Sequence, residues 1–378
     1  GAISPGTSTI RDAAGNDANL TLSGHAPATT GVLVDAVAPA VAGNIGVPAN
    51  ATYVAGQTLN FTVTFDENVV VTGTDSTLGL TIGGTGRNAT FASSTANSIT
   101  YTYTVQAGDA DTDGIAVGTI APGTSTIRDA AGNNATLTLS GHVPATTGIL
   151  VDTIAPAVAG NVSVPANGTY VAGQNLDFTV TFDENVVVTG SDSTLGVTVG
   201  ATAHNAGFLS SSGNTITYRY TVQAGDTDAD GITLGAISPG TSTIRDAAGN
   251  DASLTLSGHV PATTGVLVDA TVPSVAGNIA VPANDTYVAG QTLNFTVTFD
   301  ENVTVAGTDS TLGLTIGGTT RSATFASSAG NTVTYTYTVQ AGDADTDGIA
   351  LGAITTATST IRDAAGNDAS LTLSGHVP

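Results

Sequence analysis

The sequence predicts an all-β chain built of tandem β-sandwich domains arranged head to tail. Three observations predict it: a repeat of fixed period, apolar alternation with a period of two inside each repeat, and short segments bounded by Gly, Asn and Asp with no helical stretch between them.

The repeat is read first, because it sets the domain count. The string TSTIRDAAGN places its Arg at 11, 128, 245 and 362, so successive copies are 117 residues apart. Asp35, Asp152 and Asp269 keep that spacing, as do Asp66, Asp183 and Asp300, and His25, His142, His259 and His376. The phase is set at VDAVAP, VDTIAP and VDATVP, where a Pro without an amide donor suits a short linker entering a first strand. The units are then residues 35–151, 152–268 and 269–378, with residues 1–34 the C-terminal part of a preceding repeat.

Within a unit, LNFTVTFD (59–66) sets Leu59, Phe61, Val63 and Phe65 on one face and Thr62 and Thr64 on the other. SITYTYTV (98–105) does the same with Ile99, Tyr101, Tyr103 and Val105. Half-buried strands have this pattern. LGLTIG, NATFAS, GIAVGTI and ATLTLS add further short strands. Seven or eight strands in about 117 residues predict an Ig-like sandwich of the cadherin or fibronectin-III kind. All 18 aromatic residues fall on six positions that recur in every unit, as core residues do, leaving none for a sugar-stacking platform in one unit alone.

Charge excludes several functions. The chain carries 30 acids against 7 bases, all Arg, for a net charge of -23. Nucleic acid is excluded as a partner, since its binders need the opposite sign, and divalent cations are attracted. Without Cys there is neither a disulfide framework nor a Cys-based zinc site. No run approaches the roughly 18 apolar residues of a membrane span, so no membrane insertion is expected in this segment. Gly1 opens no signal sequence, so export signals and anchors are expected elsewhere.

The acids are as periodic as the core. All eight in the first unit, Asp35, Asp66, Glu67, Asp75, Asp109, Asp111, Asp113 and Asp129, have acidic equivalents in both later units. The sharpest motif is D-x-D-x-D-G: Asp109, Asp111 and Asp113; Asp226, Asp228 and Asp230; Asp343, Asp345 and Asp347. Alternate carboxylates on a tight Gly-containing loop can converge on Ca²⁺, which takes six to eight oxygens. The twelfth loop position holds Ile120, so an EF-hand is excluded; a β-loop calcium site and a solvated Asp/Gly turn both remain.

A second acidic pair, Asp66-Glu67, Asp183-Glu184 and Asp300-Glu301, ends the LNFTVTFD strand and its copies. With seven full-length crossings this loop and RDAAGN lie at the entry end of a unit and D-x-D-x-D-G at the exit end. At each junction the exit carboxylates would then meet Asp152, Asp183, Glu184 and Asp246, or Asp269, Asp300 and Glu301, of the next unit, and Ca²⁺ would relieve their repulsion. A strand count different by one would put both loops at the same end. For Asp129 in RDAAGN the turn reading is favoured, with calcium ligation as the alternative. The periodic His residues read as packing, and the unrepeated His204 carries no assignment.

VDTIAP, FTVTFDENV, YTVQAGD with D-x-DGI, and IRDAAGN before TLTLS together resemble the Ig-like tandem repeats of large bacterial repetitive surface proteins, the biofilm-associated and RTX-type adhesins. The resemblance covers all three units. It implies a secreted protein of the bacterial cell surface or extracellular matrix, calcium bound in or between modules, and a non-catalytic stalk. The partners it implies are calcium and neighbouring repeats of the same chain. A self-assembling filament or matrix subunit, with other copies of the chain as partners, is the alternative; a glycan- or receptor-binding module comes next, and an enzyme last.

Overall fold

The chain, described here from a computed structural model over residues 2–378, is all-β. It divides into two compact units, Gly1–Thr153 and Ile154–Pro378. The first holds one apolar core, running from Val41 to Val151. The second holds two, from Val158 to Ala270 and from Val275 to Leu373.

Repeat 1 sets the pattern. Its strands are β1 (Ala51–Tyr53), β2 (Thr58–Thr64), β3 (Val70–Thr72), β4 (Thr77–Ile82), β5 (Thr85–Thr95), β6 (Ser98–Thr104), β7 (Ala110–Asp111), β8 (Ala116–Ala121), β9 (Thr126–Arg128) and β10 (Ile149–Asp152). The main sheet is antiparallel throughout, in the order β2-β6-β5-β4-β8. Phe61 stands opposite Tyr101, and Leu59 opposite Tyr103, so the alternating faces of β2 and β6 bury together. Each such side chain contributes about 1.5–3 kcal/mol on leaving water. The turn from β4 to β5 is the two-residue Gly83-Gly84 loop with both φ positive, 53° and 77°. That conformation suits the right-handed twist of a hairpin. A Cβ on Gly83 would lie 1.9 Å from the Ala110 carbonyl oxygen, so the site admits no side chain.

A smaller sheet has the order β1-β10-β7. β10 runs parallel to β1, with Ala51 opposite Ile149 and Tyr53 opposite Val151, and antiparallel to β7. Ile149 and Val151 are fully buried. The VD pair read as a linker is therefore the end of a repeat's last strand, because the preceding apolar residues complete the core. ATLTLS, read as a strand, makes only isolated bridges, Arg128 to Asn134 and Ala40 to Thr136.

Repeat 2 reproduces this arrangement, with Val266–Asp269 held between Gly168–Tyr170 and Thr227–Asp228. Repeat 3 has the five-stranded sheet and the two-stranded pair of Thr304–Ala306 with Thr360–Arg362. Among the described residues it lacks the three-stranded sheet.

Candidate metal centre

Three acids separated in sequence come together in each unit. In the first unit, carboxylate oxygens of Asp35, Glu67 and Asp129 all lie within 4.8 Å of one another. In the second, Asp269, Glu301 and Asp363 do the same. Asp269 closes the last strand of repeat 2, while Glu301 and Asp363 sit on two loops of repeat 3, so this triad joins consecutive repeats. The donors are all hard oxygens, the set Ca²⁺ prefers.

The RDAAGN loop fixes the buried member. Asp363 Oδ1 accepts the backbone N–H groups of Gly366 at 2.6 Å and Asn367 at 2.8 Å, and its Oδ2 accepts Asn367 Nδ2 at 2.8 Å. Asn367 Nδ2 also donates to the Asp269 carbonyl at 2.8 Å, tying the turn to the incoming strand. Asp129 is held in the same way by Gly132 and Asn133, and Gly132 takes the left-handed φ of 102° that the turn requires. The turn and the acid cluster thus share one carboxylate.

Asp66, Asp183 and Asp300 are used differently. Asp66 Oδ1 accepts the Ala40 N–H at 2.9 Å, Asp183 Oδ1 that of Ala157 at 2.8 Å, and Asp300 Oδ1 that of Ser274 at 2.7 Å. They pin the segment entering each repeat. Burial pushes the Glu301 carboxyl up, and the charges of Asp363, Asp269 and Asp300 push it further. Burial, then Asp35, Asp129 and Asp66, raises Glu67 likewise. A raised Glu marks a place where negative charge is in excess.

The D-x-D-x-D-G carboxylates turn into their own repeat. Asp109 accepts Arg87 Nε at 2.8 Å, Tyr103 Oη at 2.5 Å and the Gln106 N–H at 2.9 Å. Burial opposes this carboxylate's charge, but those bonds outweigh it and hold its carboxyl below the usual range. The Tyr103 hydroxyl is pushed up to about 12, by burial first and then by Asp109. Asp111 accepts the N–H groups of Gly83 and Gly114, both at 2.7 Å, and that of Asp113. Asp343 and Asp345 repeat these roles with Arg321, Tyr337 and Gly317, and Asp228 repeats that of Asp111 with Gly200 and Gly231. Among the described residues Asp113, Asp230 and Asp347 belong to no three-acid group. In repeat 2 the loop meets the linker through main chain instead, Ala270 N–H donating to the Asp226 carbonyl at 2.8 Å.

Asp226 is the exception among the loop acids. Its Arg is replaced by His204, whose Nε2 lies 3.4 Å from Asp226 Oδ1, is buried, and makes no hydrogen bond. Asp152 closes β10 in the first unit, and Glu184 and Asp246 occupy in repeat 2 the positions of Glu301 and Asp363. Asp246 closes its own turn through Gly249 and Asn250. Arg245 and Arg362 pair with Asp251 and Asp368 at 2.6 Å. His142, His259 and His376 place Nδ1 within 2.7–2.8 Å of the carbonyls of Gly43, Gly160 and Gly277.

Sequence reasoning gave Asp129 and Asp363 to the turn, and the structure adds them to the acid group; the signal was RDAAGN at the same end of the repeat as the Asp-Glu pair. It assigned nothing to Asp75, which clips two loops by accepting the Thr124 N–H at 2.8 Å and the hydroxyls of Thr124 and Ser125. Ser125, then Thr124, holds that carboxyl well below its usual range.

No protein-family profile and no curated protein matches this chain. Solved structures do. The chain is similar to the plexin A4 extracellular region at 10% identity and a TM-score of 0.21, over 82% of this chain and 21% of that one. It therefore spans about a fifth of that protein's length. The mouse nectin-like molecule 4 ectodomain matches at 13% identity and a TM-score of 0.21, over 75% of this chain and 85% of that one. A putative membrane-anchored protein from Corynebacterium diphtheriae matches at 10% identity and a TM-score of 0.17, covering 82% and 80%. Among the described residues no helix is long and apolar enough to cross a membrane.

Proposed function

We propose that the chain is a non-catalytic structural extender of a secreted, surface-located bacterial adhesin or biofilm protein, and that calcium bound at the Asp-Glu-Asp triads stiffens the junctions between its repeats. The observation that carries this reading is the triad of Asp269, Glu301 and Asp363, in which one acid ends a repeat's last strand and two belong to the next repeat. An ion held there ties two sandwiches together. Three carboxylates supply part of the six to eight oxygens Ca²⁺ takes, with carbonyls and water completing the set. When bound, the ion neutralises the charge that raises Glu301; the chain's own part is to hold Asp363 rigid through the Gly366 and Asn367 bonds and to fix Asp269 on a paired strand.

Supporting the non-catalytic reading, the acids recur in register through the repeats, as structural residues do. The net charge of -23 and the lack of Cys suit a protein outside the cell, where calcium is abundant. The test is small-angle scattering of the 378-residue chain in calcium and then in chelator at matched ionic strength, with bound calcium counted by equilibrium dialysis. The expected result is bound calcium and a particle that shortens or flexes on chelation. Unchanged profiles with no bound ion would overturn the reading.

A further inference from the structure

Repeats 1 and 2 each close their core with a strand that repeat 3 does not have. In repeat 2 that strand is Val266–Asp269. Val266 and Val268 are buried to 0% and 2% exposure, and the backbone is held by Gly168 N–H to the Gly265 carbonyl at 2.9 Å and Ile232 N–H to the Val266 carbonyl at 3.2 Å.

In repeat 3 the same place is an open cleft of about 830 Å³, lined by Val281, Tyr287, Leu293, Phe295, Val339 and Ile349. Ile349 is half-buried where its counterparts Ile115 and Ile232 are fully buried. Val339 is likewise less buried than Val105 and Val222. Residues 285–287 and 344–345, which correspond to β1 and β7, are not strands in repeat 3. A Cβ on Gly114 or Gly231 would strike the segment leading into the last strand, whereas one on Gly348 meets nothing within 4 Å.

The chain also carries an unused copy of the strand. Residues 27–36, PATTGVLVDA, are identical to residues 261–270, the segment that fills the cleft of repeat 2. Here they are outside any sheet, with Val32, Leu33 and Val34 exposed to 71%, 86% and 91%. Strand addition to an open sheet edge draws specificity from pockets for alternate side chains, and these pockets match these side chains.

We propose that the cleft of repeat 3 is a strand acceptor whose occupant is residues 29–36 of a second copy of this chain, so that copies join head to tail. Val32 and Val34 of the donor take the places that Val266 and Val268 hold in repeat 2. The entering strand pairs with residues 285–287 in parallel and with 344–345 in antiparallel, in the register of repeat 2. The acids of the metal centre do not enter this step, and growth is expected in chelator and in calcium alike, so a failure of the calcium reading leaves it standing.

The test is sedimentation of the full chain over a concentration series, beside Val32→Asp with Val34→Asp in one variant and Leu33→Thr in another. Both substituted regions are exposed and outside any sheet, so the fold does not depend on them. Mass is expected to grow in steps of 36.9 kDa in the parent and in Leu33→Thr, and to stay at one chain in the double variant. A labelled TTGVLVDA peptide is expected to bind the chain and cap growth. One-chain mass at every concentration would overturn the proposal, as would growth that persists in the double variant; a chain of one-chain mass that binds the peptide would overturn the second copy as occupant.

Discussion

Neutralising Glu301 is expected to move stability in opposite directions with and without calcium. Its carboxylate lies within 4.8 Å of those of Asp269 and Asp363. At that separation each like-charge pair costs about 0.9 kcal/mol under water-like screening. Glu301→Gln removes two of the three pairs, about 1–2 kcal/mol once salt is allowed for. In a unit of about 225 residues, each kcal/mol moves the midpoint by about 2–4 °C. In chelator the variant should therefore melt about 2–6 °C above the parent in the transition of the second unit. In calcium at about one hundred times its dissociation constant, an intact site gains about 2.7 kcal/mol, and the parent should overtake a variant that has lost a ligand. Calorimetry of both chains in both buffers reads this crossover. A variant that melts lower in chelator, or a calcium gain equal in both chains, would refute the argument that excess charge at this triad is what the ion relieves.

Other perturbations separate the remaining parts. Changing His204 to Arg should restore the pair that Arg87 makes with Asp109, stabilising repeat 2 by about 0.5–1.5 kcal/mol in denaturant titration; no gain would mean that His204 already satisfies Asp226. Gly83→Ala sets a Cβ 1.9 Å from the Ala110 carbonyl at a φ of 53° and should cost at least about 2 kcal/mol; a neutral result would show that the hairpin shifts freely. The pH dependence in chelator follows from two opposed sets. Asp75, Asp192 and Asp309, held low by their Ser and Thr partners, give stability that is present above the ordinary Asp value and lost as pH falls through their lowered values. Glu67 and Glu301, held high, give stability that is complete below the ordinary Glu value and lost as pH rises through their raised values. Midpoints scanned across pH should therefore peak in the mildly acidic range and fall toward neutrality, with calcium removing the neutral-side fall.

The strands that alternate were legible. β2 and β6 match the segments read from LNFTVTFD and SITYTYTV to within two residues, because one face buries Phe61 and Tyr101 while Thr lines the other. ATLTLS alternates as well, yet it lies beside Pro39 and Ala40 with isolated bridges, since no neighbouring strand is in register to pair with it. The acids were harder. Three carboxylates spaced by one residue look alike in sequence, but Asp109 and Asp111 point to Arg87 and Gly83, which lie 22 and 28 residues back and are placed by the β4 to β5 hairpin. Conversely Asp35, Glu67 and Asp129 have no local spacing in common. They meet only because Asp66 and Asn133 both pin the segment after Asp35.

The parallel pairing of β1 with β10 has a mechanical consequence. Tension reaches a repeat through the segment before β1 and through the residue after Asp152. Parallel strands pulled from the start of one and the end of the other slide past each other, so the bonds between Ala51–Tyr53 and Ile149–Val151 are loaded together in shear, not opened in turn. Sliding by one residue would also drag Ile149 and Val151 out of the core. A repeat built this way resists force along the chain more than its short three-residue contact suggests, and it yields abruptly.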